Sequence, residues 1–216
     1  IKRSKTSLHL EFQNQSISTI TQDTGNYEFS TVEEILYAVF NIGFDSWNDK
    51  IKSIVNEDLC LEALALAKAL LNRLQQDSTK YLLALFCFHI ARIPAKINDG
   101  KLVSLFKQDQ TKWDKQLMSL GFAYLQKPEH LNRFYIEALI ASKYMTITAY
   151  NTAHWNEIIK LYELLAALLH SPIVKLNLCY GLHQAHRTEE ALTLLAEVET
   201  ELPSGHLYYS LVKAEL

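Results

Sequence analysis

Glycine and proline are both scarce in this chain, with six and four among 216 residues. Sheets built from tight hairpins use more of each, so the shortage argues against a β-rich sandwich or barrel, and it excludes collagen-like and low-complexity chains. Cysteine is scarce too. Cys60, Cys87 and Cys179 lie far apart inside apolar helical patterns, so they read as small buried hydrophobes of a reducing cytoplasm and not as a disulfide framework. No apolar run approaches the roughly 20 residues needed to span a bilayer, and no signal peptide is visible. Neither sign of charge dominates, with 21 Lys and Arg against 24 Asp and Glu, so no basic footprint for nucleic acid stands out. The phosphate-binding loop, the Gly-rich dinucleotide loop, the nucleophile elbow and the zinc-binding helix motif are all missing. The sequence therefore predicts a cytoplasmic, non-enzymatic chain with no metal, no cofactor and no catalytic residue.

What is present is hydrophobic periodicity, with 49% of the chain apolar. The pattern predicts an all-α fold of about nine helices in antiparallel pairs. Residues 1–29 differ from the rest. Lys2, Arg3 and Lys5 are basic, Leu8, Leu10 and Phe12 alternate with polar residues, and Gln13 to Asn26 is rich in Gln, Ser, Thr and Asn. That composition reads as an extended arm and linker ahead of a helical domain spanning 30–216. Ser30 with Glu33 has capping-box spacing, and Val32, Ile35, Leu36, Val39 and Phe40 follow on one face, which predicts a first helix from about 31 to 43. Gly43 is placed to end it through a left-handed cap. A second helix begins near Asn56. The third, from Ser78, is apolar almost all round through Leu82, Leu85, Phe86 and Phe88, and a helix without a polar face belongs at the centre.

His89 to Asp114 interrupts the pattern. Pro94 stops the helix, Asn98-Asp99-Gly100 is turn chemistry, and Leu102, Val103 and Leu105 are placed to pin the connection to the core. Asp109 is positioned to cap the next helix, which carries Trp113 and Leu117. Arg92 precedes the crossing and Asp109 follows it, so the two are expected to form a charged staple across it. Further helices follow about 129–147 and from the caps Thr152, Ser171 and Thr188. Ser171 to Pro203 spans about one tetratricopeptide period, near 34 residues. A tetratricopeptide-like α-α superhelix is the expectation for the C-terminal end.

Other clusters read as structure. Thr188 breaks the helix between His183, His186 and Glu189, which argues against a metal site. Trp113, Trp155 and Tyr162 sit on apolar faces without interleaved Arg or Lys, so they read as core packing and not as a base-stacking platform.

The interrupted stretch also carries a resemblance. Ala91-Arg92 with Ala95-Lys96, then Asp99-Gly100-Lys101-Leu102-Val103, Leu105, Gln108-Asp109-Gln110 and Trp113-Asp114, resembles the C-terminal helical extension of extracytoplasmic-function RNA polymerase sigma factors. Tyr37 to Phe44, Leu59 to Ala63, Leu82 to Leu85, Thr152 to Trp155, Leu161-Tyr162 and Ser171 to Asn177 are similar to fragments of that family, in its order. The chain departs from the pattern at Ile42, where the family is acidic, at Gln110 and Lys112, where it has Arg, and at Leu178, where Arg follows Asn. The resemblance implies that Ile1 to Lys5 end a promoter-binding domain. It implies partners in the upstream sigma domains, in RNA polymerase and in a separate small regulatory protein, with promoter DNA reached only through upstream domains. On this reading the chain is a regulatory domain that works by contact. A free-standing tetratricopeptide-like scaffold binding a peptide or protein is the other expectation. Asn41, Gln108 and Asn177 are the candidate contact or hydrogen-bonding residues, alongside Gly43, Arg92, Asp109, Trp113, Trp155 and Tyr162.

Overall fold

The computed structural model of the chain describes residues 26–45, 55–147, 150–203 and 205–216. The arm expected over residues 1–29 falls outside them except at its end, where residues 26–29 are already helical. The described residues form α1 (Asn26–Phe44), α2 (Glu57–Leu74), α3 (Asp77–Ala91) and the single turn α4 (Ile93–Lys96). A hairpin of β1 (Ile97–Asn98) and β2 (Lys101–Leu102) follows, then two 3-10 turns, Leu105–Lys107 and Gln110–Lys112. The rest is α5 (Lys115–Tyr124), α6 (Arg133–Thr146), α7 (Thr152–Leu168), α8 (Pro172–Gln184), α9 (Thr188–Glu199) and α10 (Leu207–Glu215). The fold is all-α, built of antiparallel helix pairs.

The centre is α3, as its lack of a polar face demands. Eleven of its residues are buried, against eight in α6 and six in α8. α1 and α2 cover one side of it, while α5 and α6 cover the other. Its side chains divide between two apolar clusters accordingly. Leu82, Leu83, Phe86 and Ile90 join Phe40, Phe44, Cys60 and Ala63. Ala84, Leu85 and Phe88 join Trp113, Ile136, Ile140 and Trp155. From α6 the chain continues as a sequential stack in which α8 meets α7 on one side and α9 on the other, with α10 beside it. This is the pairing expected of a tetratricopeptide-like end.

Several local expectations need correction. α1 starts at Asn26, so Ser30 and Glu33 lie inside the helix and form no capping box. The buried Glu33 carboxylate accepts instead from the hydroxyls of Ser78, at 2.7 Å, and Thr79, at 2.5 Å, in the first turn of α3. A carboxylate beside the positive end of the central helix serves that helix better than its own. Gly43 is not a left-handed cap. It is helical, and an added Cβ would lie 3.0 Å from both the Asn56 carbonyl and Cys60 Sγ, so its role is to let α2 approach α1. Val32 and Ile35 turn outward, and Leu36, Phe40 and Phe44 hold the inner face in their place.

The crossing is pinned by backbone hydrogen bonds and by Leu105 and Phe106, which pack against the core. Asp99 and Gly100 both have positive φ, the signature of the two-residue turn that matches strand twist. Leu102 is 52% exposed, contrary to the expectation that it anchors the loop. The Val103 N–H donates to the Lys96 carbonyl and the Asp114 N–H to the Ala91 carbonyl, which returns the loop to the end of α3. Asp109 caps the second 3-10 turn, and Asp114 caps α5 by accepting from the Gln116 and Leu117 N–H groups. Trp113 therefore precedes α5 rather than riding on it. Asn151, not Thr152, caps α7, and Ser171 and Pro172 open α8 as expected.

α5 lies so close to α3 that Gly121 has no room for a side chain; an added Cβ would sit 2.7 Å from the Phe88 ring. Phe88 is fully buried and edge-on to Phe122, so it has nowhere to retreat. Gly121→Ala is expected to lower stability by about 1–2 kcal/mol, because overpacking outweighs the roughly 1 kcal/mol gained in helix propensity. Urea unfolding measures this, and a stabilised variant would show that the α3–α5 contact yields freely.

Candidate functional site

α3 ends in polar residues. The apolar run stops at Ala91, and His89 and Arg92 are three positions apart, so both side chains leave the same end of the helix. They open onto a cavity of about 420 Å³ between that end, α1, α6, α7 and the start of α8. Its volume is in the range of small-molecule sites, roughly 300–1,000 Å³.

Arg92 is only 8% exposed. One terminal nitrogen of its guanidinium lies 2.8 Å from His89 Nδ1. Arginine only donates, so Nδ1 accepts and the imidazole proton resides on Nε2. His89 is thereby held neutral, and burial first, then the neighbouring Arg92 and Lys96 charges, push its pKa well below the usual histidine value. The Phe44 ring backs the guanidinium at 5.7 Å. Burial pulls the Arg92 pKa down to about 10, so it remains a cation at neutral pH. Its Nε is buried without a hydrogen-bond partner, and among the described residues no carboxylate oxygen lies within 4.0 Å of the guanidinium.

The acidic groups on the cavity wall are engaged elsewhere. Asp45 binds Lys96 Nζ at 2.6 Å, and Lys96 also donates to the Phe44 carbonyl and sits 3.3 Å from the centre of the Phe44 ring. Glu137 accepts from the Tyr37 hydroxyl at 2.7 Å and pairs with Arg133 at 3.3 Å. Burial raises the Glu137 pKa, while the Tyr37 hydrogen bond and Arg133 hold it down. Burial raises the pKa of the Tyr144 and Tyr162 hydroxyls, so both are neutral.

The structure distributes the residues singled out by sequence unevenly. Asn41, Arg92, Tyr162 and Asn177 line this one cavity. Gly43 lies one residue before the wall residue Phe44 and serves packing. Gln108 donates to the Val103 carbonyl at 3.2 Å, inside the crossing. Trp113 and Trp155 are buried in the core, Trp155 within a group of rings that includes Phe106, Tyr144, Tyr150 and Tyr180. The Arg92–Asp109 staple does not form. Asp109 is exposed and accepts from the Thr111 N–H at 2.9 Å and hydroxyl at 2.6 Å, whereas the ion pair at the crossing is Lys96 with Asp45. Sequence reasoning missed His89, Lys96 and Glu137. The spacing of His89 to Arg92 at the end of an all-apolar helix was the available signal for the first.

The described residues contain no group of three or more His, Cys, Asp or Glu placed to hold a metal, and no helix long and apolar enough to cross a membrane. A family described as one of unknown function (DUF6596) matches residues 28–129, just under half of the chain. An uncharacterized protein, R00370, of Rhizobium meliloti (strain 1021) is 29% identical over 185 residues. That match covers 83% of this chain and 43% of the relative, so the chain spans less than half the length of that protein. No solved structure matches. The cavity extends past the family match, because Tyr162 and Asn177 lie beyond residue 129.

Neutral, partly buried His89 couples stability to pH. The unfolded imidazole titrates at about 6.5 and the folded one below it, so the unfolded chain takes up the extra proton as pH falls. The stabilisation is complete above about 6.5 and lost on the acid side. His89→Gln keeps an acceptor for Arg92 and removes this titration. Its melting temperature is expected to fall less than the parent's between pH 7 and pH 5, and parallel curves would mean that His89 protonates without cost.

Proposed function

We propose that this chain is the C-terminal regulatory domain of an extracytoplasmic-function RNA polymerase sigma factor, acting by contact and not by chemistry. One observation carries the reading: fragments that resemble that family and lie far apart in sequence meet around one cavity. Asn41, Leu85, Tyr162 and Asn177 each come from a different fragment, Arg92 and Leu105 come from the interrupted stretch, and all six line it. Fragments matched only for general helical packing would scatter through the core.

A contact surface is also available. Ile35 and Ile42 are 56% and 66% exposed and share the outer face of α1, with Val32 beside them. Exposed β-branched residues in a row suit docking against another domain better than solvent. In a longer chain the docking is intramolecular, at an effective concentration approaching millimolar, so a weak contact is enough to set activity.

The test is promoter-specific in vitro transcription by the full-length protein with and without residues 30–216. Removal is expected to change output. A full-length Ile35→Lys/Ile42→Lys variant is expected to shift output in the same direction while its melting temperature stays within a few degrees of the parent's, because both side chains are on the surface. Equal output from the intact and truncated proteins, with and without cell extract, would sink the regulatory reading.

A further inference from the structure

Arg92 is buried at the cavity wall with no carboxylate in ion-pairing reach among the described residues. Asp45 pairs with Lys96, and Arg133 is shared between Glu34 at 2.9 Å and Glu137 at 3.3 Å, so neither acid on the wall forms an ion pair with the Arg92 guanidinium. A cation buried to this degree normally carries an anionic partner or is replaced by an apolar residue. Asp45, beyond ion-pairing distance, offsets part of the charge, and tyrosine hydroxyls and the carbonyl end of α3 soften it further.

A second group with anion affinity faces the same space. α8 is thirteen residues long and begins at the cavity wall, where Ser171, Ile173 and Val174 line it. Ser171 occupies the N-cap, yet its side chain makes no capping hydrogen bond. The N-terminal N–H groups of a helix have no partner within the helix and carry the positive end of its dipole. Arg92 and the start of α8 thus converge on one cavity from different elements.

The remaining wall sets the class of anion. Leu85, Leu105, Ile140 and Leu165 offer hydrocarbon, which favours a ligand with an apolar body. Asp45 and Glu137 line the wall as well and disfavour a second negative charge, which counts against phosphate. We propose that this cavity binds a small organic monocarboxylate, its anion held by Arg92 and the N-terminus of α8 and its apolar body lying on Leu85, Ile140 and Leu165. The assignment stands apart from the transcription reading, since it concerns what the cavity holds and not what the domain controls.

The experiment is ligand-observed saturation-transfer NMR on the full-length protein. Its probes are butyrate, octanoate, benzoate and phenylacetate, the neutral octanamide and phenylacetamide, and inorganic phosphate. Transfer to at least one carboxylate, and not to its amide or to phosphate, is expected. Arg92→Gln should weaken that carboxylate roughly ten- to a hundredfold, the equivalent of one charge-assisted hydrogen bond, without lowering the melting temperature of the ligand-free protein. Asn177→Trp, a substitution at an exposed wall position, should block transfer while the fold persists. Absence of transfer to every carboxylate overturns the proposal, as does equal binding of amide or phosphate. An Arg92→Gln protein that melts below the parent assigns the guanidinium to the fold and overturns it too. Binding that survives Asn177→Trp places the ligand elsewhere.

Discussion

A helix with no polar face must be enclosed, and α3 imposes that requirement on the rest of the chain. Eleven buried side chains in fifteen residues leave little beyond its first turn in contact with water. Two helix pairs are therefore needed, one for each side, and the order of the chain supplies them: α1 and α2 before α3, α5 and α6 after it. The close approaches follow from the same need. Gly43 lets α2 reach the first helix, and Gly121 lets α5 reach the Phe88 ring. A side chain at either position would push a covering helix outward and open the centre.

Enclosure becomes costly where α3 ends. The last turn carries His89 and Arg92 into the space that the covering helices create, and the crossing adds Lys96. Three basic groups within eight residues cannot all remain charged and close without compensation. Each is handled differently. His89 stays neutral and accepts a hydrogen bond from Arg92. Lys96 keeps its charge through Asp45, the Phe44 carbonyl and the Phe44 ring. Arg92 keeps its charge with an imidazole nitrogen, an aromatic face and the more distant Asp45 carboxylate. The third solution is the weakest, because no full negative charge lies within ion-pairing reach.

The architecture was legible in the sequence because periodicity is a local property that tertiary packing amplifies. The all-apolar character of Tyr81 to Phe88 announced the central helix, and Ser171-Pro172 announced the start of α8. Local signals failed where a distant group competed for the same side chain. Ser30 and Glu33 have capping-box spacing, but the hydroxyls of Ser78 and Thr79 claim Glu33 from the other side of the helix pair. The Arg92–Asp109 staple failed for a related reason. Charge complementarity across a loop does not say which acid comes near, and Asp109 was taken by Thr111 while Asp45, about fifty residues upstream, reached the crossing. Half of the site was visible all the same. Asn41, Arg92, Tyr162 and Asn177 were singled out for their residue types and for the fragments they belong to, while His89, Lys96 and Glu137 emerged only when three helices met.

Magnitudes decide how the buried arginine should be understood. Burying an ion without full compensation costs several kcal/mol even after relaxation, and a domain of this kind has a net stability of only about 5–15 kcal/mol. An apolar residue of similar volume at position 92 would remove that cost and keep the packing against Phe44. Stability therefore gives no reason for a guanidinium here, whereas at Lys96 the ion pair and the capped carbonyl supply one. The asymmetry between these two buried cations, four residues apart, distinguishes a group that holds the crossing together from a group that waits for a partner. The cavity lies on the side of the second.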